Sequence, residues 1–296
     1  MSNAIQSEPS APPRAVALIL KVLRFPLILL VIEVFTLAAV GVGYTKAARA
    51  LGVPTIGLAN FLGALGLCLV LVLTYKALRR WLEGRHDAEF TLPGAARELG
   101  QGLLLGAVLF SVSALLVAAL GGLEIQGLRG MGNFLSVAAM AVYTGVFEEA
   151  VFRGVLLRHI ESLLGSWLAI AITALLFGAA HLTNPHASLF AAMAIAVEAG
   201  LLLGAAFLLT RRLWLAVGIH AAWNFTQGWV FSIPVSGNDS SLGLLITRNT
   251  GPDWLSGGGF GLEASLVTLL VATLGGVWML RRAIAQGRLV SPAWVS

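Results

Sequence analysis

The chain has 296 residues, 58% of them hydrophobic and 11% charged, with a mean hydropathy of +0.88 and a formal net charge of +5. That composition excludes an ordinary soluble globule, and the single cysteine, Cys68, excludes an internal disulfide framework. The excess of Lys and Arg reads as membrane orientation, with the lipid bilayer as the surrounding medium and no nucleic acid as partner.

Residues 1–15 are polar and rich in Pro and Ser, and read as a disordered cytoplasmic leader. Residues 16–290 read as a single membrane domain. Lys21, Arg24 and Pro26 precede a first spanning helix near 25–44, which carries Glu33 without an evident partner. A second span covers 54–75, and the polar stretch 76–98 after it holds five basic residues. Further runs of spanning length lie at 100–122, 133–157, 166–183, 188–210, 213–233 and 260–280. The expected fold is therefore all-α and polytopic, with eight transmembrane helices. An even count puts both termini on one side. If that side is cytoplasmic, 14 of the 19 Lys and Arg fall inside, only Lys46, Arg49, Arg129 and Arg248 fall outside, and Arg153 lies in the membrane. The expected location is the cell membrane, with cytoplasmic N- and C-termini. Residues 234–259, rich in Ser, Gly and Asn, form the longest outer connection and are a candidate cover for the protein.

Charged and polar groups inside these apolar runs need a reason, because burying one unpaired costs several kcal/mol. Glu149 and Arg153 are four residues apart on one helix face and can neutralise each other. Glu148 points about 100° away and is left over. His181 closes the run Phe177-Gly178-Ala179-Ala180-His181, whose small residues admit a neighbouring helix or a substrate. His220 and Asn224 share one face of the seventh predicted span. Each could serve packing alone, through an internal ion pair or an interhelical hydrogen bond. Together, Glu148, His181, His220 and Asn224 come from three spans and could converge on one polar cavity. Such a set supports hydrolysis: a desolvated glutamate takes a proton from water, a neutral histidine holds that water, and an imidazole with a carboxamide holds an oxyanion. No Ser or Cys is arranged as a nucleophile beside a base, which favours activated water over an acyl-enzyme. Glu33 and Glu198 have no role in this reading. Counted from the predicted inner helix ends, the depths of His220, Glu148 and His181 are roughly 10, 15 and 22 Å and do not coincide.

Three motifs, Glu148-Glu149-x-x-x-Arg153, Phe177-x-x-x-His181 and His220-x-x-x-Asn224, occur in this order on the fourth, fifth and seventh predicted spans. In this the sequence resembles the CAAX prenyl protease and bacteriocin-processing family of intramembrane proteases, also called the type II CAAX or abortive-infection family. The likeness covers roughly 140–230, with a family-like core at 133–233 and looser similarity at 200–204 and 257–263. The resemblance implies an intramembrane endopeptidase with Glu148 as the base that activates water and His181 as its partner. It also implies that His220 and Asn224 stabilise the oxyanion while Glu149, Arg153 and Phe177 support the site. The implied substrate is a membrane-anchored or lipidated peptide or protein. Arg211-Arg212 departs from the Thr-Gly turn of many members. No cofactor is expected, although a Glu/His/His set could hold zinc as in a membrane metalloprotease; no His-Glu-x-x-His helix is present. The rival class is a non-catalytic protein of the same fold, acting in bacteriocin immunity or as a scaffold.

Topology reporters test the orientation. Fusions after Arg85, Arg211 and Arg288 should report cytoplasm, and fusions near Arg49, Arg129 and Asn249 the opposite side; a cytoplasmic signal at Asn249 would overturn the eight-span layout.

Overall fold

The computed structural model describes residues 22–240 and 242–295; the expected leader and Lys21 lie outside them. Helices α1 (Pro26–Ala50), α2 (Gly57–Ala77) and α3 (Ala95–Ala119) come first, and a π-helical turn, Leu78–Leu82, extends α2. Next come strand β1 (Leu123–Leu128), helix α4 (Phe134–Glu149), a π-helical stretch Ala150–Leu157, and helix α5 (Arg158–Ala180). Helices α6 (Leu189–Thr210) and α7 (Trp214–Phe225), strand β2 (Leu245–Asn249), the short α8 (Asp253–Ser256) and α9 (Leu266–Ala285) complete the order. The protein is helical, with many apolar side chains of α1, α2 and α3 facing outward, as in a multi-pass membrane protein.

Among the described residues, six helical stretches are long and apolar enough to cross a membrane, where the sequence suggests eight. One of the six, Phe134–Thr183, runs for 50 residues and combines the fourth and fifth predicted spans. It is not straight. Gly165 has φ 75°, a left-handed conformation that glycine adopts without a Cβ penalty. The rings of Phe152 and Phe177, which a straight helix would hold about 37 Å apart, have centroids 4.8 Å apart. The chain therefore doubles back at Gly165. The seventh predicted span is the 12-residue α7 followed by a π-helical stretch Thr226–Val230, shorter than the roughly 20 residues of an ordinary crossing.

The hairpin also corrects the depths inferred from sequence. The fourth predicted span stops at 157, but helix continues from Arg158 to the turn. Glu148 lies 17 residues before Gly165 and His181 lies 16 after it, so the two are level. The mismatch came from counting the two arms from different starting points.

Helix α7 runs through the centre, with every residue from Leu215 to Asn224 buried. Glycine on its neighbours lets backbones touch. A Cβ on Gly102 would sit 2.4 Å from the Leu215 carbonyl oxygen, and one on Gly106 would sit 2.3 Å from that of Ile219. On the other side, a Cβ on Gly145 would lie 3.1 Å from that of Ala221, which brings α4 against α7 just before Glu148.

The all-α expectation misses one small antiparallel sheet, in which Leu123 pairs with Asn249 and Leu128 with Leu245 across a bulge at Ile125/Gly127. The pairing joins segments more than 100 residues apart, which local periodicity does not reveal. It ties part of the outer connection down over the bundle.

At the end of the bundle bearing Arg158, charges are paired rather than solvated. Arg158 bonds Glu83 at 2.6 Å and reaches Glu33 at 3.3 Å, while Glu33 also meets His159 Nε2 at 3.0 Å. Arg79 pairs with Glu83 and Glu89, Arg211 with Glu161, and Arg212 with Glu98. Glu33 thus has its partner, and Arg211-Arg212 is held by acidic residues of α5 and α3.

The α3–α7 contact gives a stability test. Gly106→Ala meets backbone that no rotamer change can move, and should lower stability by about 1–3 kcal/mol in thermal melts of purified protein. Gly43→Ala, in α1 with nothing within 4 Å, should be neutral or slightly stabilising. Equal melting of both variants would refute the close approach.

Candidate active site

The Glu149 carboxylate is the hub of the motif residues. It is completely buried, and its Oε1 accepts from Arg153 at 2.7 Å and from His220 Nδ1 at 2.8 Å. One carboxylate therefore joins α4, the π-helical stretch and α7. The expected Glu149–Arg153 pair is present, while the bond to His220 is one the sequence reading did not include. Arg153 is 2% exposed and also donates to the Ala199 carbonyl at 2.8 Å, which links it to α6.

Phe177 organises the other side. The Arg153 guanidinium lies 4.8 Å from its ring centre, and the rings of His181 and His220 are 4.7 and 6.2 Å from it. A Cβ on Gly178 would meet the Ala192 carbonyl oxygen at 2.2 Å, so the small residues before His181 admit helix α6. His181 Nδ1 donates to the Phe177 carbonyl at 2.7 Å, since a carbonyl oxygen can only accept. In the neutral ring this leaves Nε2 as an acceptor.

His220 donates through Nδ1 to Glu149, and its Nε2 stands 3.9 Å from Glu148 Oε2. That Glu148 oxygen is buried and has no hydrogen-bond partner, although the side chain as a whole is 22% exposed. The two adjacent glutamates thus differ: Glu149 accepts two hydrogen bonds at Oε1 and none at its buried Oε2, while Glu148 accepts none and reaches His220 only at 3.9 Å. Asn224 Nδ2 donates to the Thr144 hydroxyl at 3.0 Å, and Thr144 donates to the Met140 carbonyl. Thr144 was missed in the sequence; its place one helical turn before Glu148 is the available signal.

His181, His220 and Asn224 line one small cleft together with Phe177, Trp223, Glu198, Ser236 and Glu263. Glu148 is not among the lining residues and adjoins the cleft through His220. The outer connection forms part of the cover: Asn184 donates to the Ser236 carbonyl at 3.0 Å, and the Gly237 amide to that of Phe260 at 2.7 Å. Among the described residues, the His/acid group whose ligand atoms lie within 4.8 Å of one another is Glu33, Glu83 and His159, outside this cleft. Arg158 bonds both of its carboxylates.

Comparison with protein families now bears on the chemistry. Residues 130–226 match the family model described as type II CAAX prenyl endopeptidase Rce1-like. This is the family that the three motifs resemble. The match to the endopeptidase model covers about a third of the chain, from just before α4 to the end of α7, and contains all three motifs. Ser236 and Glu263, on the cleft's far wall, lie beyond the endopeptidase match. No curated protein and no solved structure matches the chain.

The contrast between the glutamates predicts opposite stability effects. Glu149→Gln leaves Arg153 and His220 buried without their carboxylate and should cost about 3–5 kcal/mol, seen as poor expression or early melting. Glu148→Gln breaks no hydrogen bond and should melt close to wild type. The reverse order would show that the hub has been assigned to the wrong residue.

Proposed function

We propose that the protein is an intramembrane endopeptidase of the CAAX-processing type, which hydrolyses a peptide bond in a membrane-anchored or lipidated substrate with a glutamate-activated water. One observation carries this reading: a buried, unbonded carboxylate oxygen of Glu148 faces the edge of a histidine whose other nitrogen is fixed by Glu149. Glu149 Oε2 is likewise buried and unbonded, but its other oxygen is held by Arg153 and His220, whereas neither oxygen of Glu148 accepts a hydrogen bond, which leaves Glu148 free to accept a proton.

In this mechanism Glu148 takes a proton from water as the oxygen attacks the scissile carbonyl. His181, with Nδ1 committed to Phe177, offers Nε2 to orient that water. His220 donates from both ring nitrogens, to Glu149 and to the developing oxyanion, so Glu148, Glu149, Arg153 and His220 together carry no net charge. The second N–H of Asn224 completes the oxyanion site, while Thr144 fixes the orientation of the amide. Collapse of the intermediate returns the proton from Glu148 to the leaving amine. No cofactor takes part. The protein resides in the cell membrane with both termini cytoplasmic, in keeping with the distribution of Lys and Arg.

The test is mass spectrometry of membranes from cells with wild-type protein, Glu148→Gln or no gene, scored for accumulated uncleaved precursors. Glu148→Gln and His181→Ala should each reduce cleavage at least 10²-fold. Asn224→Ala should keep some activity, because one oxyanion donor is worth roughly 3 kcal/mol and His220 remains. Full activity in Glu148→Gln would end the hydrolase reading and leave the non-catalytic immunity or scaffold role. Loss of activity with a chelator, restored by zinc, would replace glutamate-type chemistry with metal chemistry.

A further inference from the structure

The cleft has an acidic end that this mechanism does not use. Glu198 on α6 and Glu263 on the turn Leu262–Ala264 both line it, and they are only 2% and 3% exposed. Glu263 is anchored: its Oε1 accepts from the Ser236 amide and hydroxyl, each at 3.1 Å, and its Oε2 accepts from Gln227. Burial pushes the Glu263 carboxyl up to about 7, and these donors limit the rise. Glu198 has no such anchors. Its Oε2 is buried with no hydrogen-bond partner, and it lines the same cleft as Glu263.

Neither carboxyl has a counter-ion. Among the described residues no Lys, Arg or His forms an ion pair with Glu198 or Glu263. Arg153 comes near but is committed to Glu149, and meets this wall at the Ala199 carbonyl. Neighbouring walls of the cleft are apolar, including Ile195, Leu202 and Ala272. An apolar slot ending in two carboxyls, one with an open acceptor, complements a long aliphatic stem with a cationic, N–H-bearing head. A divalent metal would need more oxygen ligands than this end provides.

We propose that the Glu198–Glu263 end of the cleft is a subsite for a cationic side chain of the substrate, a lysine or arginine near the scissile bond, whose head group sits between the two carboxyls. Calling the ligand a substrate rests on the hydrolase reading, but binding of the cation does not require turnover.

The test uses the purified full chain in detergent, with pentylammonium chloride as a mimic of the lysine side chain and 1-pentanol as its uncharged counterpart. Sodium chloride against choline chloride at equal ionic strength controls for an alkali ion. Pentylammonium should bind saturably and raise Tm, and pentanol should do neither. Glu198→Gln breaks no hydrogen bond and should weaken pentylammonium at least tenfold, whereas Glu148→Gln should bind it as wild type does. Unchanged affinity in Glu198→Gln, equal stabilisation by pentanol, or equal stabilisation by sodium would each overturn the subsite. Precursor processing separates the two ideas: cleavage without pentylammonium binding sinks the subsite alone, and binding without cleavage sinks the hydrolase alone.

Discussion

The structure depends on what one buried carboxylate oxygen, Glu149 Oε1, holds together. Glu149 lies where a charge without a partner is untenable, and it is neutralised by Arg153 on its own helical run and bonded by His220 on α7. Arg153 in turn grips α6 through the Ala199 carbonyl and covers the ring of Phe177 on α5. The positions of four helices are coupled through this cluster. His220 cannot rotate without breaking its bond to Glu149, so its Nε2 edge stays aimed at Glu148, the same logic by which an acidic group orients a histidine in known hydrolases.

Close packing makes that coupling stiff. Membrane helices gain little from burying apolar surface against one another, so their approach is governed by small residues and polar contacts. Gly102 and Gly106 bring α3 onto α7, Gly145 brings α4 onto it, and Gly178 brings α5 onto α6. The π-helical stretch after Glu149 carries Arg153, and such irregular turns are frequent at functional sites.

Around this centre the two ends of the bundle differ. One end is closed by buried ion pairs among Arg79, Glu83, Glu89, Arg158 and Glu33. The other carries the connection at 234–259 and the turn after it, whose Ser236 and Glu263 form part of the cleft wall. His181, His220 and Asn224 share this cleft with Glu198 and Glu263, which come from distant parts of the chain; Glu198 falls within the endopeptidase match and Glu263 beyond it.

Much of this was legible in the amino-acid sequence. Composition alone established a polytopic helical membrane protein, because so few charges cannot keep such a chain in water. Spacing marked the Glu149–Arg153 pair, and the three motifs marked the family, because i, i+4 relations are local and survive in any helix. What the tertiary structure decided was everything set by contacts between distant segments. The hairpin at Gly165 levels Glu148 with His181, and a glycine conformation of that kind leaves no periodic trace. The bond from His220 to Glu149 spans 71 residues, the β1–β2 pairing more than 100, and the cleft shared by Glu198 and Glu263 joins α6 to a turn that hydropathy reads as the start of the last span. Periodicity reports which face of a helix is buried; it does not report which neighbour that face meets, and at this site the neighbours determine which carboxyls are paired and which remain open.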